Sequence, residues 1–119
     1  MQVEHVDFVS VLTQDLQRAR RFYVETLGLE VETEGDSDME LRCGQVTLDV
    51  FDPSSIGQPF APSPAGIALR VADVDAARAE LEYKGVVFDG DTIVTGVCKQ
   101  AWFKDPDGNA LMIHRRFDA

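Results

Sequence analysis

The sequence is poor in basic residues and has no long apolar run. Only 11 of its 119 residues are Lys or Arg, against 21 Asp or Glu, and the formal net charge is −10. Such a surface repels nucleic-acid phosphates and anionic lipids, so we expect neither a nucleic acid nor a membrane as partner. No apolar run is long enough to cross a bilayer, and no signal peptide is visible at the N-terminus. We therefore expect a cytoplasmic protein.

Cysteine and histidine are also scarce. The two cysteines, Cys43 and Cys98, form no C-x-x-C pair, and the only histidines are His5 and His114. This pattern argues against a structural zinc site. In a reducing compartment, both thiols are expected to remain free.

The rest of the composition is typical of a single globular domain. Hydrophobic residues make up 45% of the chain and charged residues 27%, both ordinary proportions. A chain of 119 residues is close to the commonest domain length and can bury a core without disulfides. We therefore expect one domain over residues 1–119.

Apolar spacing predicts the same succession of elements twice. Asp15 and Asp73 each precede a segment with helical spacing, and Gly28 and Gly85 each follow one at a nearly equal separation. Alternating strand patterns flank both helices. An internal duplication explains this order.

Most of the prolines separate the two copies. Four of the five lie between Asp52 and Gly66, which makes this segment the best linker. The sequence thus predicts an α+β fold of two tandem βαβββ modules, with curled sheets around a cavity. The expected bounds are 1–57 for module one, 58–64 for the linker and 65–119 for module two.

Two segments carry a resemblance to a known family. Asp15–Tyr23, followed by Leu27–Val31, looks like the first helix of the glyoxalase/bleomycin resistance/dioxygenase family, the vicinal oxygen chelate superfamily. Phe103–Asn109 resembles its closing hairpin. The resemblance covers nearly the whole chain and implies the two-module fold. It implies no single activity, because this fold hosts lyases, dioxygenases, epimerases, thiol transferases and drug-binding proteins.

The resemblance also implies where a metal would bind. In metal-dependent members, four strand positions supply His and Glu ligands, and here they fall on Phe8, Asp49, Gly66 and Met112. Phenylalanine and glycine offer no side-chain donor, and a thioether suits soft copper. We therefore expect no metal and no other cofactor.

The two histidines leave an alternative metal site open. If a bulge turned His5 inward, His5 and His114 with Asp49 would resemble a facial triad. The favoured interpretation is a surface His5 and a His114 that forms hydrogen bonds in the cavity.

Asp49 is unusual because it lies in a strand whose other face is apolar, with Val46, Leu48 and Val50. The family's register directs it into the cavity, where it would pair with a cationic ligand group or act as a base with a raised pKa. A solvated carboxylate at the cavity mouth, paired with Arg70, is an equally good interpretation.

Aromatic side chains around the expected cavity would hold a flat ligand by stacking and burial. The sequence allows either Trp102 or Phe103 to face the cavity. The expected ligand-binding residues are Phe8, Asp49, Phe51, Met112, His114, Trp102, Phe60 and Met39.

These observations favour a metal-independent protein that sequesters an apolar or aromatic natural product or antibiotic, with or without a cationic group. The alternative is an enzyme of the lyase, isomerase or dioxygenase type, with displaced metal ligands or acid–base chemistry at Asp49 and His114. A third possibility is an interaction module without a small ligand. Family members of this length usually pair, so the resemblance also implies a homodimer.

Overall fold

The computed structural model describes residues 1–118, and the chain forms two compact units, Met1–Pro62 and Ser63–Ala119. The first unit contains four strands, β1 (Phe8–Leu12), β2 (Glu30–Glu34), β3 (Asp38–Cys43) and β4 (Val46–Phe51), which form a sheet in the order β1-β4-β3-β2. β1 runs parallel to β4, and the other neighbours are antiparallel. A 3-10 turn, Pro53–Ile56, follows the last strand. The helical part of the first unit is α1 (Leu16–Arg20), which a π-helical segment (Arg21–Thr26) continues.

The second unit repeats this βαβββ succession, and its strands are β5 (Ile67–Arg70), β6 (Ile93–Val94), β7 (Cys98–Lys104) and β8 (Ala110–Arg116). They form a sheet in the order β5-β8-β7-β6. The predicted α+β fold of two tandem βαβββ modules is confirmed, and both sheets are open rather than closed barrels. The division between the units falls inside the predicted linker, 58–64. The helix of the second unit is α2 (Val74–Tyr83).

Each helix begins at the aspartate that the sequence indicates. The Asp15 carboxylate accepts a hydrogen bond from the Arg18 backbone N–H at 3.1 Å, and Asp73 accepts one from the Ala76 N–H at 3.0 Å. Both bonds satisfy a donor that the first helical turn would otherwise leave unpaired.

One face of each sheet is buried. In the first unit, alternate residues of three strands share this face with Tyr23 of the helical segment, and all are at most 3% exposed: Val11, Met39, Leu41, Leu48 and Val50. In the second unit the equivalent set is Ala101, Phe103, Leu111 and Ile113, with Val74 of α2. We call the opposite side of each sheet its open face.

The structure departs from the sequence pattern at strand ends. The apolar run from Val3 predicts a strand, yet β1 begins at Phe8, which pairs with Thr47 near the start of β4. The preceding residues are exposed and lie outside the strand, and only the Asp7 carbonyl reaches β4, where it accepts from the Thr47 N–H at 3.3 Å. β4 offers no further partner because it begins at Val46, directly after a tight turn. In the second unit, the apolar run over 86–88 predicts an extended segment, but it forms only a bridge from Phe88 to Phe103.

No helix within residues 1–118 is long and apolar enough to span a membrane. Both cysteines are free, as expected.

Candidate ligand-binding site

The open face of the first sheet carries three of the expected ligand-binding residues. Phe8 pairs with Thr47, Asp49 pairs with Glu40, and Phe51 pairs with Asp38. Because paired residues and alternate residues of a strand share a face, Phe8, Asp49 and Phe51 lie on one side of this sheet. Phe8 is 56% exposed, and the other two are half-buried.

Asp49 lies in an acidic environment on this face. Burial, then the hydrogen bond with Asp38 and the repulsion from Asp38 and Glu40, raise the pKa of Asp49 from 3.8 to about 6. Its Oδ1 atom is buried and has no hydrogen-bond partner within the described residues. The arrangement favours a proton, or a cationic or donor group of a ligand, beside this carboxyl.

Two expected residues lie away from this group. Met39 is on the buried face, 3% exposed, and its edge borders a cleft of about 370 Å³ beside α1 and the β2–β3 turn. Phe60 lies in the Pro-rich segment and borders another cleft, of about 320 Å³, with Gln14 and Asp52. Met39 therefore does not share the open face with Asp49, and Phe60 lies outside the sheet, in the segment after β4.

The open face of the second sheet carries the other three. Trp102 pairs with Met112, and Gln100 pairs with His114. All four side chains are half-buried. This register also shows that Trp102, and not Phe103, lies on the open face. Phe103 is fully buried on the opposite face and packs against Phe88, with ring centroids 5.2 Å apart.

The Trp102 ring covers the backbone of Gly66. A Cβ atom built at Gly66 would overlap the ring, with Trp102 Cη2 at only 2.6 Å, and would lie 3.2 Å from Met112 Cε. The indole N–H donates to Gln100 Oε1 at 2.6 Å. Because Gly66 has no side chain, the Trp102 ring can occupy this space.

The four positions that the family resemblance assigns to metal ligands do not fit a divalent metal. Phe8 and Gly66 have no donor atom, and Trp102 occupies the space that a side chain at position 66 would need. Asp49 alone offers oxygen ligands, and Met112 offers a soft thioether. No group of three or more His, Cys, Asp or Glu within residues 1–118 has a metal-binding arrangement.

The histidines have separate environments. His5 Nε2 lies 2.9 Å from Asp7 Oδ1 in the exposed segment before β1, where the two side chains are 68% and 82% exposed. His114 lies on the open face of the second sheet, between Arg70 and Gln100 in the strand register.

Sequence reasoning missed the acidic partners of Asp49 and the role of Gln100. A signal existed for the first. The order Asp38-Met39-Glu40-Leu41 alternates polar and apolar residues, and the tight turn before Val46 sets the hairpin register that brings Glu40 opposite Asp49. Gln100 carries no such signal, because its contact depends on the rotamer of Trp102.

Comparison with known proteins agrees with this architecture. The sequence profile of the Glyoxalase/Bleomycin resistance protein/Dioxygenase superfamily matches residues 3–113. The Escherichia coli (strain K12) protein YaeR is 28% identical over 127 aligned positions, which cover 96% of this chain and 98% of YaeR.

Solved structures show the same fold. TnmS3, an antibiotic binding protein from Streptomyces sp. CB03234, is 32% identical with a TM-score of 0.80, and 98% of each chain is covered. Lactoylglutathione lyase from Agrobacterium tumefaciens is 19% identical with a TM-score of 0.81, covering 95% of this chain and 94% of the lyase. This chain belongs to the glyoxalase/bleomycin resistance protein/dioxygenase superfamily.

Proposed function

We propose that the protein binds an apolar or aromatic small molecule of the natural-product or antibiotic class, without a metal ion. The observation that carries the proposal is the replacement of the metal-ligand positions by Phe8, Gly66 and Met112, with the Trp102 ring over Gly66. The polar donors of a metal site have been exchanged for apolar and aromatic surface, which favours a flat apolar ligand. TnmS3 provides a precedent for antibiotic binding at 32% identity.

The chemistry of Asp49 refines the ligand class. Its carboxyl lies on the same sheet face as Phe8 and Phe51, next to Asp38 and Glu40. An amine or hydroxyl donor on the ligand would satisfy the unpaired Oδ1 atom and reduce the repulsion among the carboxylates. The proposal therefore includes ligands that combine an aromatic body with such a donor.

A thermal-shift screen of aromatic antibiotics and aromatic metabolites tests the proposal. We expect a subset to raise the melting temperature in a concentration-dependent way, because a ligand that binds only the folded state stabilises it. Each stabilising compound should be recovered unchanged by mass spectrometry after long incubation. The absence of any stabilising compound would count against the proposal.

Acid–base catalysis is the second candidate function, and the raised pKa of Asp49 is the observation that favours it. A carboxyl with a pKa of about 6 exchanges protons readily near neutral pH. Conversion of a bound compound, abolished by Asp49→Asn or by a change at His114, would identify an enzyme. Stoichiometric metal that a chelator removes with loss of stability would instead indicate a metal enzyme with displaced ligands.

We further propose that the protein acts as a homodimer. Beside the ligand-facing Phe8, the segment before β1 and the strand itself expose further apolar side chains: Val3, Val6 and Val9. Exposed apolar side chains that cluster in one segment support an interaction surface there. Light scattering should give twice the chain mass of 13.2 kDa, and a value of 13.2 kDa at micromolar concentration would contradict the proposal.

A further inference from the structure

We infer that Gln100 is a positioning residue, which fixes the indole of Trp102 as a rigid aromatic platform on the open face of the second sheet. The inference rests on the proposed function, because it assigns the platform to ligand binding. It adds a residue that contacts the platform rather than the ligand.

The hydrogen bond between the two side chains is the first observation. Trp102 Nε1 lies 2.6 Å from Gln100 Oε1. An indole can only donate, so the atom of the Gln100 amide that faces it is the carbonyl oxygen. A tryptophan side chain otherwise rotates about two torsions, and this bond selects one orientation of the ring.

Gln100 is itself held at its other end. Its Nε2 atom lies 3.7 Å from the sulfur of Cys98, which is buried. The same sulfur lies 3.4 Å from Thr95 Oγ1, and that hydroxyl oxygen accepts hydrogen bonds from the Val97 and Cys98 backbone N–H groups. Polar contacts therefore connect the turn before β7 to the indole along one face of the strand.

Packing below the ring completes the platform. The six-membered edge of the indole lies over Gly66, and Met112 Cε lies beside it. With Gly66 beneath it and Gln100 at its N–H, the half-buried ring has limited freedom and leaves part of its surface open. Because the ring is already ordered, little conformational entropy is lost when a flat ligand stacks on it.

Trp102 is the only tryptophan of the chain, so its fluorescence reports on this platform alone. The first experiment measures time-resolved fluorescence anisotropy of the ligand-free wild type, Gln100→Leu and Gln100→Glu. Gln45→Leu, in the exposed β3–β4 turn, is the matched control. We expect Gln100→Leu to add a nanosecond component from local ring motion, and the other three proteins to tumble as rigid bodies. Glutamate should keep the ring fixed because its carboxylate still accepts from the indole.

The second experiment measures binding of N-phenylnaphthylamine, an uncharged aromatic probe, by the same four proteins. Gln100→Leu should weaken binding about fivefold, the cost of ordering one side chain on association. Gln45→Leu and Gln100→Glu should bind within about twofold of the wild type.

The outcomes separate the inference from the proposed function. An unchanged anisotropy decay in Gln100→Leu would overturn the positioning role, even if the melting temperature fell. Increased ring motion with unchanged probe affinity would overturn the role of that position in binding. If the wild type bound neither the probe nor any compound of the thermal-shift screen, the proposed function would fail, while increased ring motion in Gln100→Leu would still support positioning.

Discussion

The indole ring of Trp102 lies in the space that any side chain at Gly66 would occupy. The two residues belong to different segments of the second unit, since Gly66 immediately precedes β5 and Trp102 lies in β7. A methyl group at position 66 would overlap the ring and contact Met112 Cε at 3.2 Å. Position 66 therefore cannot gain a side chain unless the Trp102 ring moves.

Gly66→Ala should destabilise the protein by about 2 kcal/mol, because overpacking forces the ring or the backbone to move. Urea unfolding followed by Trp102 fluorescence measures this loss, and the emission maximum of the folded state should shift as well. Gly96→Ala is the matched control, because a Cβ atom there meets nothing within 4 Å. Equal effects of the two substitutions would contradict the coupling of Gly66 to Trp102.

Asp49→Asn should stabilise the protein at pH 7 and not at pH 4. The pKa of Asp49 in the folded state is about 6, against a usual value of 3.8. Between these pH values the folded protein holds a proton that the unfolded chain has lost, so stability falls as pH rises through this window. We expect a gain of about 1 kcal/mol at pH 7, since solvent screening of a partly exposed carboxyl reduces the effect.

Denaturant unfolding at both pH values measures this difference. Asp36→Asn removes the same charge from the exposed β2–β3 turn and controls for the high net negative charge. If the gain in stability persisted at pH 4, or were no larger than that of Asp36→Asn, ionisation of Asp49 would not be what destabilises the folded protein at pH 7.

The sequence predicts helix starts well because capping is local. Asp15→Ala and Asp73→Ala should each cost about 1 kcal/mol of folding free energy, since each removes the acceptor for an N–H group of the first turn. Asn at either position should cost much less, because its side-chain oxygen still caps the helix. Thermal or urea denaturation compares the four variants. If Asn were as costly as Ala, the charge at the helix N-terminus would be the important property instead.

Local patterns also predict β4, because a turn precedes Val46 and polar–apolar alternation continues toward Phe51. Local patterns fail where the structure of a segment depends on a strand that is distant in the sequence. The extent of β1 depends on where β4 begins, so the apolar residues before Phe8 form no strand. The orientation of Trp102 and Phe103 could not be assigned from two adjacent aromatics, and the pairing of Trp102 with Met112 fixes it. The acidic surroundings of Asp49 require the β3–β4 register.

Phe8→Ala should be nearly silent for stability and costly for binding. Phe8 is 56% exposed on an edge strand, so its loss should change the free energy of unfolding by less than about 0.5 kcal/mol. A ligand that covers the ring on the open face would bury apolar area worth roughly 2 kcal/mol, which corresponds to about a thirtyfold weaker affinity for the variant.

Titration with N-phenylnaphthylamine, alongside urea unfolding, measures both quantities. Phe117→Ala is the matched control, because Phe117 is equally exposed, at 56%, and lies beyond the last strand. Equal probe affinities for the two variants would remove Phe8 from the binding surface. If Phe51→Ala also left the affinity unchanged, the ligand would not bind at the open face of the first sheet. The Trp102 platform of the second unit would then be the surface to test, because its aromatic ring does not depend on either phenylalanine.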